Sequence, residues 1–135
     1  MGHRILVIDD SADLALVMRM QLQRAGHEVI TAENGRRGLR TFYETRPDLV
    51  VLDIRMPELD GWATLERIRD LADVPVLIVS GQNPAPEKLE TLRPGLDAFH
   101  LKPVSGPELV AEVASLMGEG GGEHAAAVHH RAAVR

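Results

Sequence analysis

The sequence predicts an α/β protein built on a doubly wound parallel sheet. Three observations predict it. Five short β-branched or aliphatic runs punctuate the chain. Segments with helical periodicity separate them, so strand and helix alternate strictly, which calls for right-handed crossovers onto one sheet. The first, third and fourth runs are nearly continuous apolar stretches, as expected of strands covered on both faces.

The five strands are read at Ile5–Ile8, Glu28–Thr31, Leu49–Leu52, Val76–Val79 and Ala98–Leu101. The second is more mixed and suits a place nearer an edge. In the first helix Leu14, Met18, Leu22 and Ala25 form a stripe, and Gly26 supplies the stop. The second helix is expected from Gly35 to Arg46, with Leu39, Phe42 and Tyr43 inward and Pro47 ending it. The third carries Trp62, Leu65 and Ile68. The fourth is squeezed between Pro86 and Pro94. The fifth opens on Ser105-Gly106-Pro107-Glu108, a capping box, and turns Leu109, Val113 and Leu116 inward. Residues 1–117 thus read as one domain. Residues 118–135 read as a flexible Gly-rich linker or C-terminal tail.

The 135 residues are 44% hydrophobic and 26% charged, which suits one soluble core rather than a disordered chain. Aromatics make up only 3%, so that core must be aliphatic. A net charge of −5 argues against direct nucleic-acid binding. The absence of cysteine excludes disulfides, thiolate metal sites and a Cys nucleophile. With no apolar stretch long enough for a membrane and no signal-like segment before the first strand, the cytoplasm is the expected compartment.

Ligands of such sheets bind beyond the C-terminal ends of the strands. There the chain places Asp9-Asp10 after strand one, Asp53 after strand three, Ser80-Gly81 after strand four and Lys102-Pro103 after strand five. In strand order 2-1-3-4-5 these groups converge on one edge. Two carboxylates about 4 Å apart repel by roughly 4 kcal/mol at an effective dielectric of 20. Three together raise a pKa unless a cation sits among them. Oxygen-only ligands, few in number, suit Mg²⁺. A carboxylate beside Mg²⁺ can attack phosphorus, while Lys102 and Ser80 hold phosphoryl oxygens.

The run from Asp53 through Met56, Pro57 and Asp60 to Gly61 is similar to the D-x-x-M-P-x-x-D-G signature of response-regulator receiver domains of two-component signalling. Asp9-Asp10, Ser80 and Lys102-Pro103 match that family's other site positions, and the likeness covers about residues 4–117. It implies a flavodoxin-like (βα)5 fold in order 2-1-3-4-5. It implies that Asp53 is the phosphoacceptor. Mg²⁺ would be held by Asp10 directly, Asp9 through water, Asp53, and the backbone carbonyl of Arg55. Ser80, Gly81 and Lys102 would meet the phosphoryl group, Phe99 would be the switch aromatic, and the bond before Pro103 would be cis. The implied donor is a sensor histidine kinase or phosphotransfer protein. A homodimer through the fourth helix, fifth strand and fifth helix is a further implied partnership; nucleic acid and membrane are not implied partners of this chain. Such a domain transfers the phosphoryl group to and from itself and is not a turnover enzyme.

Departures are Ser80 where Thr is commoner, Gly81 for Ala, Leu96 after Gly95, and the prolines 84, 86 and 94 around the fourth helix. Plainer roles compete for several residues. Asp9, Asp10, Ser11 and Asp60 could cap helices. Trp62 reads as packing, and His124, His129 and His130 read as a solvated tail rather than a metal site. Rival functions are a flavin or nucleotide module, which the acidic loop after strand one disfavours, and a phosphohydrolase, which lacks its D-x-D pair. The remaining alternative is a degenerate receiver acting only as a phosphorylation-independent interaction module, and intact Asp10, Asp53, Ser80 and Lys102 weigh against it.

Overall fold

The computed structural model describes residues 2–55 and 60–118. Met56 to Leu59 of the signature, and the tail with His124, His129 and His130, lie outside the described residues. The elements run β1 (Arg4–Ile8), α1 (Ala12–Arg24), β2 (Glu28–Ala32), α2 (Gly35–Thr45), β3 (Leu49–Asp53), α3 (Gly61–Leu71), β4 (Val76–Ser80), α4 (Pro86–Leu89), β5 (Asp97–Leu101) and α5 (Gly106–Leu116). All strand pairs are parallel, in order β2-β1-β3-β4-β5. The parallel, doubly wound sheet is what the β-α alternation predicts, and its strand order is the flavodoxin-like one that the resemblance implies.

The period-2 alternation of the strands splits the core in two. Ile5, Val7, Leu49, Val51, Leu77 and Val79 face α1 and α5. Leu6, Ile8, Val50, Leu52, Val76, Ile78 and Phe99 face α2, α3 and α4. Every residue of β3 and β4 is buried, which explains their unbroken apolar runs. Burying such an aliphatic side chain contributes about 1.5–3 kcal/mol. Gly38 lets α2 lie close on β1: a Cβ there would come within 2.4 Å of the Ile8 side chain.

Two inward faces differ from their expected phase. On α1 the buried residues are Ala15, Met18 and Leu22, while Leu14 is 44% exposed and Ala25 is the exposed C-cap. At about 100° per residue, Ala15 and Leu22 fall on one side of Met18 and Leu14 on the other. On α2, Gly35, Gly38 and Phe42 face inward. Tyr43 is 63% exposed, with the Arg46 guanidinium 5.4 Å from its ring centre. Arg46 ends α2 in the left-handed region, at φ 50°, directly before Pro47. The caps follow the side chains. Ser11 caps α1, Asp60 caps α3, and Ser105 with Glu108 forms the capping box of α5. No helix among the described residues is long and apolar enough to cross a membrane.

Candidate functional site

Parallel pairing brings the C-terminal ends of β1, β3, β4 and β5 to one edge, and with them the polar residues that end those strands. Asp53 is the last residue of β3 and Ser80 the last of β4. Asp9 follows β1 and Lys102 follows β5. The Lys102 N–H donates to the Ser80 carbonyl at 2.7 Å, which joins the ends of β4 and β5. The Lys102–Pro103 bond is cis.

Asp9 is 1% exposed. Its Oδ1 accepts the Ser11 N–H at 2.8 Å, whereas its Oδ2 has no hydrogen-bond partner among the described residues. The Lys102 ammonium stands 3.6 Å from that Oδ2 and 3.7 Å from Asp53 Oδ1. Asp53 is also buried, and its Oδ1 accepts the Arg55 N–H at 3.2 Å. Asp10 is exposed at the mouth. Carboxylate oxygens of Asp9, Asp10 and Asp53 lie within 4.8 Å of one another. Ser80 is buried, with its Oγ accepting the Gln82 N–H at 3.2 Å.

Among the described ion pairs, Lys102 alone serves this cluster of three carboxylates. Burial raises the Asp53 pKa to about 6, and the charge of Asp9 adds to the rise. Lys102 and the Arg55 N–H oppose it, and Asp10 raises it further. At neutral pH Asp53 is therefore ionised while surrounded by like charge. An unpartnered buried oxygen, two neighbouring carboxylates and an open mouth make a donor set for a small oxygen-preferring dication. Softer metals are poorly matched, because the cluster offers neither sulfur nor imidazole.

Asp9, Asp10, Asp53 and Lys102 line one cavity of about 680 Å³, together with Ser11, Leu14, Ile54, Arg55, Asp60 and Gly81, while Ser80 is buried behind its neighbour Gly81 in the chain. Leu14, expected in the core, borders the site instead. Asp60 both lines the cavity and caps α3, accepting the Ala63 N–H at 2.9 Å. Gly61 is required beside it, since a Cβ would meet Ile54 Cα at 2.4 Å and the Asp53 carbonyl oxygen at 2.7 Å. Phe99 lies outside the cavity, fully buried opposite Ile78 of β4 and packed in the α2–α4 side of the core. Trp62 packs against that same cluster.

Comparison with known proteins agrees with this layout. Residues 5–114 match the family model described as response regulator receiver domain. The chain is 40% identical over 115 residues to the transcriptional regulatory protein PrrA of Mycobacterium leprae, covering 84% of this chain and 49% of that protein. It is 37% identical over 115 residues to the probable transcriptional regulator ycf27 of Pyropia yezoensis, covering 85% and 47%. The chain thus spans about half the length of the curated relatives it matches. Among solved structures, the Francisella response regulator 1452 receiver domain superposes with a TM-score of 0.77 at 28% identity, covering 86% of this chain and 97% of that one. The Vibrio cholerae chemotaxis protein CheY4 gives 0.77 at 24% identity, covering 86% and 99%, a likeness of fold alone.

Proposed function

The chain belongs to the response regulator receiver domain family, and from that premise we propose that it is a phosphoacceptor switch in which Asp53 takes a phosphoryl group from a phosphohistidine. One observation carries the reading: Asp53 is a buried, ionisable carboxylate with an ammonium 3.7 Å away and two further carboxylates beside it. An Asp53 oxygen attacks phosphorus, the O–P bond forms as the P–N bond to the donor imidazole breaks, and the imidazole nitrogen takes a proton from solvent. Lys102 is placed to receive a phosphoryl oxygen, and the Ser80 hydroxyl to donate to another. Asp10, Asp53 and the backbone carbonyl of Arg55, with Asp9 acting through water, would hold Mg²⁺, which would supply the positive charge that this acidic cluster lacks. Gly81 leaves the approach to Asp53 without a side chain. Pro103 follows Lys102 through a cis bond, and Phe99, already fully buried opposite Ile78, is the switch aromatic of this reading.

The phosphodonor is a sensor histidine kinase or phosphotransfer protein. Support for a protein donor comes from α1, where Leu14, Leu16, Val17 and Met20 are 44–52% exposed and Leu14 reaches the cavity rim. Output passes through the face formed by α4, β5 and α5 to a second copy or a downstream partner. The domain acts as a switch in the cytoplasm and not as a turnover enzyme.

The test is incubation with Mg²⁺ and a small-molecule phosphodonor, followed by intact mass. One phosphoryl group should be added, labile to base and hydroxylamine as an acyl phosphate is. Asp53→Asn should stay unlabelled. Full labelling of that variant would show that another residue is the nucleophile. A wild-type protein unlabelled even with a cognate kinase present would support the degenerate-receiver reading instead.

A further inference from the structure

Among the described helices, α4 is the least anchored. It has four residues, none of them buried, and no side chain caps its N-terminus. The segment leading into it from Ser80 is largely exposed, and Gly81 has nothing near its would-be Cβ. Its far end, by contrast, is pinned. Asp97, 1% exposed, pairs with Arg69 of α3, and its Oδ2 accepts the Arg93 N–H at 3.0 Å. The Arg93 guanidinium reaches Asp73, just past α3, at 3.3 Å. Leu92 is buried close by.

On α4 itself the ties are slighter: Leu89 packs partly on the core, and Lys88 makes a contact of another kind. The Lys88 ammonium of α4 sits 5.7 Å from the ring centre of Trp62, within the range of a cation–π contact. Trp62 stands in the first turn of α3, which is bonded to the strand that carries Asp53: the Gly61 N–H donates to the Ile54 carbonyl at 2.9 Å. Lys88 and Trp62 thus bridge the two segments that leave the site from Asp53 and from Ser80. A small groove of about 280 Å³ separates α3 from α4 at this contact, so α4 has room to move there.

We propose that Trp62 and Lys88 form a latch that holds α4 against α3 in the unphosphorylated state, with the Arg69–Asp97–Arg93 anchor as the pivot. The inference rests on the phosphoacceptor reading and adds to it the contact that sets the resting balance of the switch. When the Ser80 segment closes on the phosphoryl group, the near end of α4 follows and the ammonium leaves the ring. An exposed cation–π contact is worth a factor of about two to five in such an equilibrium.

The experiment uses the full chain, Mg²⁺ and beryllofluoride, a phosphoryl analogue, with binding followed by ¹⁹F NMR. Lys88 is exposed, so its substitution leaves the fold intact. Lys88→Gln should tighten beryllofluoride binding about two- to fivefold, and Lys88→Arg, which keeps a cation on the ring, should bind as the wild type does. Trp62 is the single tryptophan of the chain. Its emission should shift when beryllofluoride binds to the wild type, and free Lys88→Gln should already be shifted part of the way. Equal affinity and equal resting emission in wild type and Lys88→Gln would overturn the latch alone. A wild type that binds no beryllofluoride would overturn the phosphoacceptor reading, and the latch with it.

Discussion

Removing the charge of Asp53 should stabilise the metal-free protein, although it removes the central residue of the site. Burial, with Asp9 adding, raises the Asp53 pKa from 3.8 to about 6. Between those two values the unfolded chain gives up its proton while the folded chain keeps it, so stability falls as pH rises through that window. Above about pH 6 the penalty is complete and constant; below 3.8 both states are protonated and it vanishes. A shift of about two units corresponds to about 3 kcal/mol. Asp53 is 5% exposed but lines an open cavity, so water there screens part of the penalty and about 3 kcal/mol is its upper bound. Asp53→Asn keeps the shape and discards the charge. Thermal or urea unfolding in metal-free buffer should show the variant more stable by up to about 3 kcal/mol at pH 7.5, a midpoint rise on the order of 10 °C at most. At pH 3.5 the two proteins should nearly coincide. Equal stability at pH 7.5 would refute the reasoning, and so would a gain that persists undiminished at pH 3.5, which would point to packing rather than charge.

Two further outcomes follow from the same structure. Asp10→Asn should weaken Mg²⁺ binding on the order of tenfold or more, read by calorimetry at neutral pH, and unchanged affinity would remove Asp10 from the ligand set. Ser105→Ala breaks the capping box of α5 and should lower stability by about 1 kcal/mol, measured as the urea midpoint with phosphorylation by a small donor unaffected.

The strands were legible because β3 and β4 are buried on both faces, and because each strand near the site stops at a polar residue. Asp9, Asp53, Ser80 and Lys102 could therefore be assigned to one edge from topology alone. The phase of α1 was less legible. Leu14, Leu16, Val17, Met18, Met20 and Leu22 surround that helix with apolar groups, so periodicity does not choose among them, and small Ala15 carries little signal though it is buried. The apolar excess there is surface, and part of it borders the cavity. Tyr43 misled for a different reason. It sits in the last turn of α2, where Phe42 already closes the core and the next position faces solvent. The Arg69–Asp97 pair left no trace in the sequence, because its partners are 28 residues apart and each looks like an ordinary surface charge. His27 is similar: it is buried, and its Nδ1 accepts the His3 N–H at 3.1 Å across the start of the sheet.

The destabilised site and the weakly held α4 belong to one physical arrangement. Lys102 is shared almost evenly between Asp9 and Asp53, at 3.6 and 3.7 Å, so neither carboxylate is fully neutralised. Any added positive charge in the cavity gains from that imbalance, and on the proposed reading a phosphoryl group on Asp53 would draw Lys102 and the Ser80 hydroxyl toward it. The energy released would be local to the ends of β3, β4 and β5. Both segments that could move in response begin at those strand ends. The start of α3 is tied where Gly61 packs on the Asp53–Ile54 backbone. The β4–α4 segment has no fully buried residue in its helix, where Leu89 packs partly on the core and Lys88 meets Trp62. α4 has no buried residue of its own and offers the lower resistance, so on the proposed reading the charge change at Asp53 would be expressed there as displacement.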